Sequence, residues 1–198
     1  MSKVIDYYLT LNSPFAYLGS RRLEEIAARH RATVNVKPVN YGEIFPQSGG
    51  LPLPKRAPQR QAYRLVELAR WRDYLDMPLT LEPAFFPAPE LTAACLVIAA
   101  AETNGDPLRL AHAILRAVWA EERNIADQGT LRDIAEATGH HALNLMSKAL
   151  DPATRSRYAA LTQEAMERNV FGAPTYIYRD ELFWGQDRLD FLERALAA

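Results

Sequence analysis

Ser13 is the first residue in the chain whose type and place could do chemistry. It stands in Leu11-Asn12-Ser13-Pro14-Phe15-Ala16-Tyr17-Leu18. Before it an alternating run extends from Val4 to Thr10, and after it Phe15, Leu18, Leu23, Ile26 and Ala27 recur at helical spacing as far as His30. The first run reads as a strand and the second as a helix. Ser13 then occupies an N-cap slot and Pro14 the first helical position, where a missing N–H leaves no bond unmade. A strand that ends in a polar pair and opens a helix presents that pair above a sheet. Free backbone N–H groups and the positive end of the helix dipole face whatever binds there. Such a place suits an anion, a phosphate or a thiolate. Ser13 is therefore open to two readings: a helix cap, or a hydroxyl that serves a bound group. No Glu or Gln stands three residues on to complete a capping box. Asn12 is common in such turns.

Composition limits the partners. The 198 residues suit one large domain, or one domain with a sizeable insertion, and a hydrophobic share of 48% supports a core. The net charge of −1 gives no basic footprint for nucleic acid. No apolar run reaches the length of a membrane span. The start, Met1-Ser2-Lys3-Val4-Ile5-Asp6, is too polar for a signal peptide, so a soluble cytoplasmic protein is expected. Cys95 is the sole cysteine, which excludes an intrachain disulfide. Its neighbours Ala93, Ala94, Leu96 and Val97 imply a buried structural thiol. No metal site is expected.

Three stretches must position Ser13. Residues 1–40 read as strand, helix and strand, the second strand being Thr33 to Val39, interrupted by Pro38. A helix between two strands implies a parallel unit with a right-handed crossover. Residues 41–169 read as a helical insertion. It opens with Gly42 to Pro58, where Gly49-Gly50 and Pro46, Pro52, Pro54 and Pro58 predict a loop without regular structure. Helices are expected near Gln59–Tyr74, Glu90–Thr103, Pro107–Glu121, Leu131–Thr138, His141–Leu150 and Pro152–Arg168, with Asp127, Thr130 and Asp151 as caps. Residues 170–198 read as loop, strand Thr175–Tyr178, turn Arg179-Asp180, strand Glu181–Trp184, and a helix from Arg188 to Ala197 capped by Asp187. Arg179-Asp180 is a poor pair for a primed turn, since neither residue is Gly. The assembled order, βαβ, helices, ββα, is an α/β thioredoxin-like fold with a large all-helical insertion. In that fold the loop before the third strand carries a cis-proline, here Pro174.

Asn12-Ser13-Pro14-Phe15-Ala16-Tyr17-Leu18 resembles the opening segment of the 2-hydroxychromene-2-carboxylate isomerases, which group with the kappa-class glutathione transferases. Phe171-Gly172-Ala173-Pro174-Thr175 and Glu181-Leu182-Phe183-Trp184-Gly185-Gln186-Asp187-Arg188-Leu189 are similar to that family's closing signature. Disulfide oxidoreductases of similar architecture place two cysteines where this chain has Asn12 to Phe15, so dithiol chemistry is excluded there.

The resemblance implies glutathione as cofactor and a homodimer. Asn12 and Ser13 would meet glutathione at the start of the helix, Ser13 activating its sulfur, and Ala173, beside Pro174, would offer its backbone to the cysteinyl part. Gln186, Asp187 and Arg188 would receive the glutamyl end. Asp187 has a second reading, as a simple N-cap. Arg60 falls where relatives tend to have Lys and would hold a carboxylate; a solvated arginine is its other reading. In the loop after the second strand the family pattern has Lys and a Gly-Asn pair, whereas this chain has Pro46 and Gly49-Gly50. Gln47, Ser48 and Phe86 are then candidate substrate contacts.

The activity so implied is glutathione-dependent cis–trans isomerisation of an unsaturated, aromatic oxo-acid. Two alternatives stand beside it. One is a glutathione transferase that keeps the adduct. The other is a non-catalytic binding module on a thioredoxin scaffold.

Overall fold

The computed structural model describes residues 2–198. Strand β1 (Val4–Leu9) and strand β2 (Thr33–Pro38) are parallel, with Val4 beside Thr33 and Leu9 beside Pro38. Helix α1 (Pro14–His30) connects them. Strand β3 (Thr175–Tyr178) runs antiparallel to β1, Thr175 opposite Tyr8, and strand β4 (Glu181–Trp184) runs antiparallel to β3. The sheet order is β2-β1-β3-β4. As an inner strand, β3 is buried along its whole length, and Tyr176 stacks on Tyr7 of β1 with centroids 5.2 Å apart. This is the expected thioredoxin-like frame.

Between β2 and β3 lie seven helices of the described residues: α2 (Tyr41–Ser48), α3 (Pro58–Leu75), α4 (Leu91–Glu102), α5 (Pro107–Trp119), α6 (Gln128–Ala137), α7 (Ala142–Leu150) and α8 (Pro152–Glu167). Helix α9 (Leu189–Ala197) closes the chain. The Ala-rich α4 is buried from Ala93 to Ala100, as small side chains on every face permit, and it packs on α5, α7, α8 and β2. Lys37 of β2 reaches Asp6 of β1 at 2.9 Å and Glu164 of α8 at 2.6 Å, fastening the last insertion helix to the sheet. Sheet and helices share one hydrophobic core. No helix among the described residues is long and apolar enough to cross a membrane.

Three local expectations are corrected. The Gly42–Pro58 stretch is not wholly irregular. It contains α2, with Pro46 inside it, and a short 3-10 turn at Leu53–Lys55. Asn40 caps α2 by accepting from Gly42 N at 3.0 Å. The buried Tyr41 donates its hydroxyl to Gly172 O at 2.8 Å, and Gly49 ends the helix at φ +74°. These tertiary contacts outweigh the one ladder bond that Pro46 cannot make. Asp187 does not cap the last helix: a 3-10 turn, Gln186–Arg188, comes first, and Arg188 precedes α9 without a side-chain cap bond. Thr130 is not a cap either, since its N–H donates to the true cap, Asp127, at 2.7 Å. The expected turn at Arg179-Asp180 forms, and both residues take positive φ, 49° and 65°, the primed-turn geometry that their types disfavour.

Candidate functional site

Three chain segments leave the sheet at one end. Thr175 is opposite both Tyr8 of β1 and Trp184 of β4, so the end of β1, the start of β3 and the end of β4 coincide. From them the chain continues to Asn12 and Ser13, backwards to Pro174 and Ala173, and on to Gly185–Arg188. Gly185 N donates to Pro174 O at 2.9 Å, which fixes two of these segments to each other. Helix α1 packs on the Gln186–Arg188 turn at Gly19, where a Cβ would lie 2.8 Å from Gln186 Cβ; glycine permits that approach.

Ser13 is the buried N-cap of α1. Its Oγ accepts from Ala16 N at 3.1 Å, and no acceptor among the described residues takes its hydroxyl hydrogen. The Ala173–Pro174 bond is cis. The N–H and C=O of Ala173 have no hydrogen-bond partner among the described residues, and the residue is half-buried. Unpaired backbone groups on a half-buried residue are free to bond a ligand or water, and these stand at the same end of the sheet as Ser13.

The other expected residues are distributed as follows. Asn12 joins Ser13, but its side-chain amide is engaged with Ala88: Nδ2 donates to Ala88 O at 2.9 Å and Oδ1 accepts from Ala88 N at 3.0 Å. Gln186 is 1% exposed; its Oε1 accepts from Arg22 at 3.0 Å and its Nε2 has no partner among the described residues. Asp187 and Arg188 are exposed at the same sheet end and pair with each other at 3.0 Å. Arg60 stands on the first turn of α3, exposed, with no ion pair among the described residues. Gln47 and Ser48 lie at the exposed end of α2, and Ser48 Oγ donates to Ile44 O at 3.0 Å. No hydrogen bond or ion pair among the described residues joins Arg60, Gln47 or Ser48 to the sheet end. Phe86, half-buried, precedes a second cis-proline, Pro87, and lines a cavity of about 300 Å³.

Two residues were missed by the sequence reading. Glu90, just before α4, accepts from Thr10 Oγ1 at 2.6 Å and from Asn12 N at 3.1 Å, so its carboxylate organises the turn that delivers Ser13. Burial raises its pKa, against hydrogen bonds from Thr10 and from the backbone of Leu11 and Asn12 that lower it. Nothing in its sequence neighbourhood signals this, since the contact spans 78 residues. The other is Arg64 on α3, a half-buried guanidinium in the wall of the Phe86 cavity. The spacing of Arg60 and Arg64 on α3 was its available signal, because positions four apart share a helix face.

The DSBA-like thioredoxin domain model matches residues 4–197 of this sequence. The chain belongs to that family. It is 32% identical over 197 residues to a 2-hydroxychromene-2-carboxylate isomerase of Sphingobium xenophagum, covering 99% of each chain. It is 22% identical over 200 residues to glutathione S-transferase kappa 1 of Caenorhabditis elegans, covering 95% of this chain and 88% of that one. A solved 2-hydroxychromene-2-carboxylate isomerase superposes with a TM-score of 0.84 at 26% identity, over 98% of this chain and 94% of that one.

Within the DSBA-like frame this chain has Ser13 and no cysteine at the start of α1. Its one thiol, Cys95, is buried on α4, where desolvation raises its pKa and keeps it protonated. A thiolate at the helix start would therefore have to come from a ligand.

Proposed function

We propose that the chain is a glutathione-dependent cis–trans isomerase acting on 2-hydroxychromene-2-carboxylate or a related unsaturated oxo-acid, working as a cytoplasmic homodimer. One observation carries this reading. The free hydroxyl hydrogen of Ser13 and the unpaired backbone of Ala173 stand at the same end of the sheet.

When bound, glutathione supplies the nucleophile, a thiolate able to add reversibly to a conjugated alkene. Ser13 Oγ accepts from Ala16 N and its hydroxyl hydrogen is uncommitted among the described residues, so it can donate to a sulfur anion. That hydrogen bond and the positive end of α1 both favour the charged form. An ordinary thiol pKa is about 8.5, so lowering it by about one or two units makes thiolate abundant near neutrality. Ala173 offers a donor and an acceptor to the cysteinyl backbone of the tripeptide, beside the cis peptide. Asp187 would take the glutamyl ammonium and Arg188 its carboxylate. Arg60 would hold the other carboxylate, where a guanidinium can bind with two parallel hydrogen bonds. The full-length relation to named isomerases supports the choice of substrate.

Titration calorimetry with glutathione, followed by product analysis, tests the proposal. Binding followed by glutathione-dependent conversion of the chromene acid to its trans isomer is expected. A stable adduct with a chloro-nitroarene, and no chromene conversion, would assign the chain to transferase chemistry. No binding up to millimolar glutathione would refute both.

A further inference from the structure

The cavity beside Phe86 contains a cation with nothing to balance it. Arg64 is half-buried, and no carboxylate, carbonyl or hydroxyl among the described residues accepts from its guanidinium. Its Cζ lies 5.3 Å from the centroid of the Phe86 ring and 5.5 Å from that of Trp119. Those two rings are themselves 4.8 Å apart. Leu53, Gln61, Leu65 and Leu81 complete most of the lining. Glu82 also lines the cavity, but it is exposed and makes no ion pair with Arg64. Burial, with Arg56 nearby, lowers the Arg64 pKa to about 10, so the group remains charged at neutrality.

Taking a guanidinium out of water without an acceptor is unfavourable, and the two tilted rings compensate only part of that. An anionic ligand would supply what is missing. The volume, about 300 Å³, is at the small end for ligand pockets and suits one or two fused rings. The pocket is also tied to the thiol site. Phe86 is two residues from Ala88, and Ala88 is hydrogen-bonded in both directions to Asn12, the neighbour of Ser13.

We infer that Arg64 is the specificity-determining residue of the electrophile pocket: its guanidinium receives the carboxylate of a planar unsaturated acid whose ring lies against Phe86. The inference rests on the glutathione-dependent reading for the identity of that acid. The shared chemistry, a carboxylate, could also come from the glycine end of glutathione, and the two sources are separable.

The experiment compares wild type with Arg64→Met and Arg64→Lys, each checked for folding by thermal melting. Calorimetry with 1-naphthoate, an unreactive aromatic acid, requires no turnover. Arg64→Met is expected to weaken its binding about tenfold to a hundredfold, as for loss of a charge-assisted pair, and Arg64→Lys to restore part of that. Glutathione affinity should stay within about twofold of wild type in both. The methyl ester of the acid, which has no charge to offer, should bind wild type and Arg64→Met alike. If the chain proves to have no isomerase activity yet naphthoate binding depends on Arg64, the pocket assignment stands without that function. Equal naphthoate affinities in wild type and Arg64→Met would overturn it. So would a selective loss of glutathione affinity, which would give the guanidinium to the tripeptide.

Discussion

Asn12 and Ala88 hold each other through a reciprocal pair of hydrogen bonds of 2.9 and 3.0 Å, across 76 residues of sequence. This clasp fixes the segment that carries Phe86 against the turn that carries Ser13. It joins the place where a thiolate would be stabilised to the wall of the aromatic pocket.

Asn12→Ala should therefore loosen the pocket before it affects the thiol site. It leaves the Ala88 N–H and C=O without partners, at a cost of about 1–3 kcal/mol. Urea unfolding should show the lower midpoint, and steady-state kinetics a raised KM for the acid with glutathione affinity little changed. An unchanged midpoint would mean that the clasp contributes nothing.

Ser13→Ala separates the cap from the catalytic role. Loss of the cap alone costs about 0.5–2 kcal/mol of stability and leaves the folded fraction active. Thiolate stabilisation predicts more: the ultraviolet titration of bound glutathione should move to higher pH, and raising the pH should recover part of the lost rate. Superimposable titration curves would reduce Ser13 to a cap. Ser13→Cys should form a mixed disulfide with glutathione under oxidising conditions, visible as a mass increase on the intact protein.

Arg60→Ala and Asp187→Ala should each weaken glutathione binding about tenfold, the lower range for a charge-assisted contact, because both side chains are exposed to screening solvent. They stand on separate elements with no contact between them, so the double variant should show the sum of the two free-energy losses. Calorimetry reads all three. Wild-type affinity in either single variant would remove that residue from the site.

His112 on α5 gives a pH dependence of stability. Burial lowers its pKa from 6.5 to about 4, with Arg21 and Arg116 acting in the same direction. Its Nδ1 lies 2.6 Å from Ser20 Oγ, and its ring stacks on Tyr17 at 5.9 Å. The folded chain keeps the imidazole neutral where the unfolded chain protonates it. Stability is thus fully present above about pH 6.5 and is lost as pH falls towards about 4, by up to about 2 kcal/mol for a partly exposed ring. Denaturant midpoints near pH 7 and near pH 5 should differ in wild type and differ less in His112→Gln. Parallel losses in the two proteins would assign the acid sensitivity to other groups.

The frame was legible in the sequence because its signals are local. Alternation in Val4–Thr10, the Ser13-Pro14 helix start and the apolar face of Leu189, Leu192 and Leu196 depend on residues a few positions apart. The structure forms the strand, the cap and the apolar face so implied, although Tyr7, Tyr8 and Leu9 are all buried, so β1 is covered on both faces and does not alternate in burial. The caps Asp127 and Asp151 were readable for the same reason. Helix α2 was not, because its proline and glycines argue against it locally, while contacts from Tyr41 to Gly172 and from Asn40 to Thr162 decide for it. The tight turn at Arg179-Asp180 was readable, but its backbone geometry was not: the pairing of β4 with the buried β3 imposes positive φ on residues that would not choose it alone.

The site divides along the same line. Sequence by itself determined that a serine, not a cysteine, opens α1, that an Ala-Pro pair precedes β3, and that the chain carries a single thiol; those facts set the class of chemistry at the helix start. Only the tertiary structure decided what surrounds them. It turned Asn12 towards Ala88, buried Gln186 beneath α1, brought Glu90 to the turn before Ser13 and left Arg64 against two aromatic rings without a counter-ion. Each of these is a contact between residues far apart in the chain. Its energy depends on burial and geometry, quantities that residue type and spacing do not contain.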